Sequence, residues 1–399
     1  MTAPTARVAE LAEQVRGVSY GKEDASSTPR PGYLPVLRAG NITDEGLVFE
    51  DLVFVPAERI SDRQRIRRHD VIIAASSGSL DVVGKAARAL VDYEGGFGAF
   101  CKVLRPGPRV DPSYFAHFFK TPIYRRRVST LAAGININNL RNEHLDDMEI
   151  PLPPLPEQGR IAEVLDRAEA LRAKRRAALA QLDTLTQSVY LEMFGDPATN
   201  PKGWPTKPLG DVMSEVYRYP TYYDIAYEEI GIPEIRGELL QEDGSILTEK
   251  SSLRYISPQT SARFPRTVLA EGDLVMSVRG TIGKIGLVPP ALAGANITAN
   301  LIRMAPDRRL LDPTFAWHFT QTNSFKRQLA NVCSSTTILT VKAPDLKRLS
   351  ISLPPLTIQH LFSHRIDAVR KVKATYRTSL MQLEVLFSSL QQRAFRGEL

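Results

Sequence analysis

Two stretches of this chain carry apolar residues three and four positions apart over an unusual length. In the first, Pro156 to Phe194, they fall at Ile161, Val164, Ala168, Leu171, Ala178, Leu182, Leu185 and Val189, with a basic break at Arg175 and no proline until Pro197. In the second, Gln359 to Phe395, they fall at Phe362, Ile366, Val369, Val372, Tyr376, Leu380, Leu383, Leu386 and Leu390. This spacing predicts two amphipathic helices. Pro156 and the acidic Glu157 suit the first turn of the first one, and Gly195 followed by Pro197 suits its end. At 1.5 Å per residue a helix of about 38 residues is roughly 57 Å long, and one such helix cannot bury its stripe alone. The favoured solution is that the two stripes bury each other as an antiparallel coiled coil. The alternative is that each helix packs on its own globular part.

The remaining segments are short apolar runs punctuated by Gly, Pro, Ser and Asp, the pattern of strands and turns. "LPVLR", "LVFV", "DVIIAA", "VVGKAA" and "FCKVL" play this part before residue 150, and "LRYI", "DLVMSV", "KIGLV" and "NLIRM" after residue 200. Each set is followed by one helix, opening at Asp111-Pro112 or Asp312-Pro313, where the Asp caps and the Pro occupies the first turn.

These two sets are copies. Leu152-Pro153-Pro154-Leu155 recurs as Leu353-Pro354-Pro355-Leu356, 353 − 152 = 201 positions on. The same offset sets "DPSYFAHFF" from Asp111 against "DPTFAWHFT" from Asp312, His117 against His318, and "FGDP" from Phe194 against "FRGEL" from Phe395. "LPVLRAGNIT" near Leu34 resembles "IPEIRGELLQ" near Ile232. Near the N-terminus the likeness fades, and Leu11 is set opposite Leu209. The expected fold class is therefore α+β: two similar mixed α/β domains and two long helices forming an antiparallel coiled coil, a pseudo-two-fold internal repeat. The boundaries read 1–150, 151–197, 198–350 and 351–399. Two copies are too few for a solenoid.

Composition narrows the chemistry. A chain of 399 residues has room for two or three cores. No apolar run reaches membrane-spanning length and no signal-peptide pattern opens the chain, which leaves the cytoplasm as the expected location and no membrane partner. Two cysteines, Cys101 and Cys333, cannot form a disulfide framework or a structural zinc site. An excess of 51 Lys+Arg over 44 Asp+Glu, a net charge of +7, is compatible with a polyanionic partner.

No catalytic motif stands up. "GSLDVVGKA" at Gly78 has the wrong glycine spacing for a phosphate loop and Ala86 where Ser or Thr is required. "GGFG" at Gly95 lacks dinucleotide spacing. His360 and His364 are four apart on the second helix without the Glu of a zinc-protease motif, and the first copy has Gly159 and Glu163 there. "NPKGW" at Asn200 lacks the aromatic residue and the cofactor loop of an amino-methyltransferase. No catalytic residue, metal or cofactor is expected. The chemistry that remains is hydrogen-bond reading: Asn suits adenine edges and Arg guanine edges, while cations next to Gly suit phosphates. On that basis Arg38, Ser77, Lys85, Asn136, Asn138, Arg236, Arg279 and Lys284 are candidate DNA contacts. Turn-forming Asn and Ser, and solvated loop charges, are the alternative for each.

"IPLPPLPEQGRIAEVLDRAEALRAKRRAALAQLDTL…FGDP…GWPTKPLGDV", with its second copy "ISLPPLTIQHLFSHRID…LQQRAFRGEL", resembles the specificity subunits of type I restriction-modification systems over the whole chain. The resemblance implies two target-recognition domains, each followed by a spacer helix, and no catalysis of the chain's own. It implies double-stranded DNA as ligand, bound at a bipartite asymmetric site with one half per domain. It also implies that the helices dock methyltransferase subunits and, through them, ATP-dependent restriction subunits, and that the length of the rod fixes the spacing between half-sites. Thr357-Ile358 in place of Pro156-Glu157 departs from the pattern. From the residues alone, a rod joining two protein-binding domains and a stand-alone DNA-modifying enzyme remain alternatives.

Overall fold

The run Val71-Ile72-Ile73-Ala74 has no polar position, and all four side chains are buried, as in a central strand covered on both faces. In the computed structural model, which describes residues 4–79, 81–132, 138–218, 225–279, 282–333 and 340–399, this strand lies between Cys101–Pro106 and Ala86–Arg88, and Ala12–Arg16 pairs beyond Cys101–Pro106. All pairings are antiparallel. The second copy builds the same sheet from Met213–Arg218, Leu301–Pro306, Leu274–Ser277 and Ile285–Leu287. Beside it, Tyr33–Leu37 pairs antiparallel with Val53–Pro56 and parallel with Gly96–Phe97. Ile232–Ile235 does the same with Arg254–Ile256 and Asn296–Ile297. Repetition in the sequence is thus repetition of topology.

A buried ion pair shows how the copies vary on one scaffold. Arg105 donates from Nε and Nη2 to the fully buried Asp70, both at 2.8 Å, and Arg303 donates from Nε to Asp273 at 2.7 Å. Arg105 follows the Leu104 that faces Val71, whereas Arg303 precedes the Met304 that faces Leu274. The arginine has moved two residues along one strand face, so the bond survives the change.

The chain divides into two compact units: Met1–Ala178 with Tyr376–Leu399, and Leu179–Thr375. The long helices, Leu155–Phe194 and Leu356–Ala394, each contribute one half to each unit. Gly195 takes φ +78 just past the first, the left-handed cap its sequence predicts.

Within the first unit the helix segments run antiparallel. Ile161, Ala162, Leu165 and Ala168 share a core with Phe387, Ala394 and Phe395, while Arg172 and Arg176 both bond Glu384. Phe395 also lies 4.9 Å from Tyr114 and 5.6 Å from Phe118, ring to ring, so the end of the second helix closes the core of this unit's globular part. Within the second unit Lys373 bonds Asp183, and Tyr190 and Phe194 pack on Phe362 at 5.6 and 5.2 Å. Phe194 meets Phe315 at 4.7 Å, the counterpart of Phe395 on Tyr114. Helix segments pair with each other, and the alternative holds only for their first turns: Ile161 and Leu165, or Phe362 and Ile366, join the core of the preceding globular part, while Phe395 and Phe194 close the core of the other copy's.

The seam keeps the three-four rhythm but not the phase its apolar residues suggest. Ile161, Phe362 and Ile366 are buried; Val164, Leu182, Val189, Val369, Leu383 and Leu390 are half-buried. Leu171, Leu185, Val372 and Leu386, expected on the seam, are exposed. Their neighbours take the contact positions: Arg172, whose guanidinium lies 4.2 Å over the Phe387 ring, Thr186, Lys373 and Phe387 itself. The correction has a physical cause, since long charged side chains bury aliphatic stems while pairing their heads. Arg175 over Tyr376 at 4.2 Å is the same device, so the basic break belongs to the seam.

A second correction concerns the N-termini of the copies. Val8 N donates to Met148 O and Leu209 N to Leu349 O, which sets Val8 opposite Leu209. Leu11 corresponds to Val212, since Gly107 N bonds Leu11 O as Asp307 N bonds Val212 O.

Candidate nucleic-acid interface

In the first unit the strands' ends at Ala74 and Leu37 organise the loops that carry most of the candidates. Ala74 N donates to Lys85 O and Gly84 N to Ala74 O, which closes the loop holding Ser76 and Ser77. Ser76–Ser77 pairs with Asn138–Asn139, and Ser77 Oγ accepts from Ser79 N at 3.2 Å. Leu37 O receives Gly98 N at 2.8 Å, bringing the turn Gly98–Cys101 beside Arg38. Arg38 donates to Asp51 O at 2.8 Å, and its amide bonds Asn41, whose side chain holds Val48 O and Glu50 O. The structure thus gathers Arg38, Ser77, Lys85 and the backbone of Asn138. Asn136 lies outside the described residues, as does most of the polar loop around it and its counterpart from Ser334.

The second unit repeats the plan. Arg236 donates to Ser252 O at 2.9 Å and bonds Glu238. Lys284 closes its loop through Ser277 N to Lys284 O at 2.9 Å. Arg279 is exposed and close enough for its charge, after burial, to hold the Arg218 guanidinium below its usual pKa. Both lysines are paired, Lys85 with Asp44 at 3.4 Å and Lys284 with Glu242 at 2.9 Å, so a phosphate there would exchange with a carboxylate.

The apolar pattern does not mark the turn itself. "FCKVL" was expected as strand from Phe100, but the strand begins at Cys101 and Phe100 stands exposed in the turn. The Gly-rich "GGFGAF" is the signal that was available.

One side-chain network invites a catalytic or metal reading. His117 Nε2 lies 2.8 Å from Asp166 Oδ1, Ser113 donates to Asp166 at 2.6 Å, and Glu169 lies nearby, with ligand atoms within 4.8 Å of one another. Two cations already neutralise it: Arg88 is 3.3 Å from Asp166 and Lys120 2.6 Å from Glu169. At the 201-residue offset, Glu169 becomes Arg370 and Lys120 becomes Gln321. We therefore read it as the fastening of the first long helix to the helix Pro112–Phe118. Burial opposes ionisation of Asp166, but hydrogen bonds from His117 and Ser113 and the charge of Arg88 outweigh it and lower its pKa to about 2. A carboxyl held below its unfolded value of about 3.9 stabilises the fold above that pH and loses this contribution as pH falls toward 2. Asp166→Asn is accordingly expected to lower the urea midpoint at pH 7, with variant and parent converging below pH 3. Parallel curves at all pH values would refute the assignment.

Other reactive groups are muted. Burial pushes the Cys101 thiol up to about 12, and His360 and His364 are both exposed on the second long helix. Among the described residues, no helix is long and apolar enough to cross a membrane.

Comparison with known proteins agrees with the repeat. A family model for the type I restriction modification DNA specificity domain matches the chain twice, over residues 8–181 and 201–384. The chain is 30% identical over 419 residues to the type I restriction enzyme StySPI specificity subunit of Salmonella potsdam, covering 100% of this chain and 89% of that protein. It is 29% identical over 435 residues to the EcoKI specificity subunit of Escherichia coli K12, covering 100% and 88%. The solved type I restriction-modification S subunit from M. genitalium has the same fold, with a TM-score of 0.58 at 13% identity over 99% of both chains. One scaffold built twice, matched in both copies, places this chain in the family of type I restriction-modification DNA specificity subunits.

Proposed function

We propose that the chain acts without catalysis of its own, reading a bipartite asymmetric DNA site with residues 1–150 on one half and 198–350 on the other. The helical segments 151–197 and 351–399 serve as spacers. The observation that carries this reading is the pairing of one topology with two different sets of loop side chains. A repeated backbone fixes a common docking geometry, and unlike side chains then select unlike bases. The net charge of +7 favours the phosphate backbone.

The spacer helices dock methyltransferase subunits, which bring in the ATP-dependent restriction subunits, and the complex works in the cytoplasm. Exposed apolar residues on the helices support this. The first unit's segments present Leu171, Met381, Val385 and Leu386, and the second unit's present Leu185, Leu191, Leu361 and Val372. Large exposed apolar side chains that do not serve the seam suit a protein partner.

The test is domain exchange. With its methyltransferase co-expressed, the parent chain is expected to direct methylation to a split motif. Replacing residues 1–150 by the equivalent part of another family member should change one half of that motif and leave the other. A motif unaltered by the exchange would refute the reading.

A further inference from the structure

The turn between the two sheets is closed and anchored by equivalent backbone bonds in both units, and its exposed tip carries a different side chain in each. In the first unit Cys101 N donates to Gly98 O at 2.8 Å, closing Gly98-Ala99-Phe100-Cys101, and Gly98 N is held by Leu37 O at 2.8 Å. The carbonyl of Phe100 accepts from both Ala75 N and Ser76 N, at 2.8 and 3.0 Å. In the second unit Leu301 N donates to Thr298 O at 3.0 Å, Thr298 N to Ile235 O at 3.1 Å, and Val278 N to Asn300 O at 2.9 Å. Alanine precedes the tip residue in each, as Ala99 or Ala299. The tip side chains, Phe100 and Asn300, are exposed, Phe100 to 68%. An arginine follows the strand that anchors each turn, Arg38 or Arg236, and the loop facing each turn carries Ser76-Ser77 or Arg279.

An exposed phenylalanine is unremarkable alone, and Leu90, Val91 and Ile230 are exposed too. What separates Phe100 is that its backbone is pinned to two sheets among hydrogen-bonding side chains, at a position whose counterpart has a different chemistry. Such a position fixes the point from which a side chain leaves the backbone while leaving its identity free, which is what a base-reading residue requires.

We infer that Phe100 and Asn300 are equivalent specificity-determining residues, one in each half of the DNA interface. Phe100 packs on a thymine methyl group in the major groove, and Asn300 makes the paired hydrogen bonds of an amide to an adenine edge. This rests on the reading of the two globular parts as DNA readers.

The experiment is a genome-wide map of methylated bases from cells expressing the full chain with its methyltransferase, as parent, Phe100→Ala and Asn300→Ala. Absence of a split motif in the parent would defeat the DNA-reading proposal itself, whatever the variants do. Given that motif, Phe100→Ala is expected to relax one position in one half, and Asn300→Ala one A·T position in the other, each by roughly tenfold in preference. Unchanged preference at every position in both variants overturns the inference, as does a loss spread evenly over both halves. Melting of each purified variant accompanies the map. Should Phe100→Ala melt early, Phe100→Asn, which gives the turn the tip residue of the other unit, is mapped instead and must shift preference at one position of the first half alone.

Discussion

Gln359→Leu is expected to cost about 3 kcal/mol of folding stability, because it strips one buried amide of three backbone bonds at once. Gln359 is fully buried; its Oε1 accepts from Asp312 N at 2.8 Å, and its Nε2 donates to Pro354 O at 2.8 Å and Leu310 O at 3.1 Å. Leucine fills the volume but leaves an N–H and two carbonyls without their partner, each a loss of about 1–3 kcal/mol when water cannot reach it. Gln158 holds the same place in the first unit, bonding Asp111 N and Pro153 O, both at 2.8 Å. In each unit the amide therefore ties three elements: the cap of the short helix, the Pro-rich stop and the first turn of the long helix. For a unit of about 200 residues the expected fall in melting temperature is roughly 6–12 °C. Thermal unfolding of the full chain reads it, and a shift below 2 °C would mean that the amide is not the tie.

That amide explains why "PLPPLPEQ" and "LPPLTIQ" mark the copies so well. The prolines were legible as a stop; the first helix begins one residue before the expected Pro156, and the second begins at Leu356, three residues before the expected Gln359. The glutamine was not legible as an anchor, because a polar residue in a helix's first turn ordinarily faces water. The seam failed in the same way. Apolar spacing gave the rhythm and the partner, but Arg172, Arg175 and Lys373 contribute burial through their stems, which no apolar-polar alphabet records. Strand runs were found where buried on both faces, as at Val71–Ala74. The outer strand Ala12–Arg16, alternating and half-exposed, was missed, since its partner Cys101–Pro106 lies far along the chain. Among the candidate DNA contacts, Lys85, Arg279 and Lys284 are legible as cations next to glycine, but nothing in the sequence says which candidates lie together. The acidic partners Asp44 and Glu242 and the turn at Phe100 required the fold.

Acid is expected to weaken the second unit through His318, by about 2 to 3 kcal/mol between pH 6.5 and pH 4.5. This histidine occupies the position of His117, and the contrast lies in what surrounds it. His117 has the Asp166 carboxylate at 2.8 Å. His318 is buried with its Nε2 unpaired, packed edge-on against Trp317 and Phe362 at 4.7 and 5.1 Å, and the equivalent carboxylate, Asp367, lies 3.4 Å from Arg370 instead. Burial, then the charges of Arg370 and Lys373, lower its pKa to about 3. The sign follows. A histidine whose folded value lies below its unfolded value of about 6.5 is bound by a proton more readily when unfolded, so stability is full above pH 6.5 and drains as pH falls toward 3. His318→Phe removes the titrating group while keeping an aromatic ring in the site, and its stability should decline less than the parent's across that window. Urea unfolding at pH 7.0, 5.5 and 4.5 measures the difference, and identical slopes for parent and variant would show that His318 takes up its proton without opening the core.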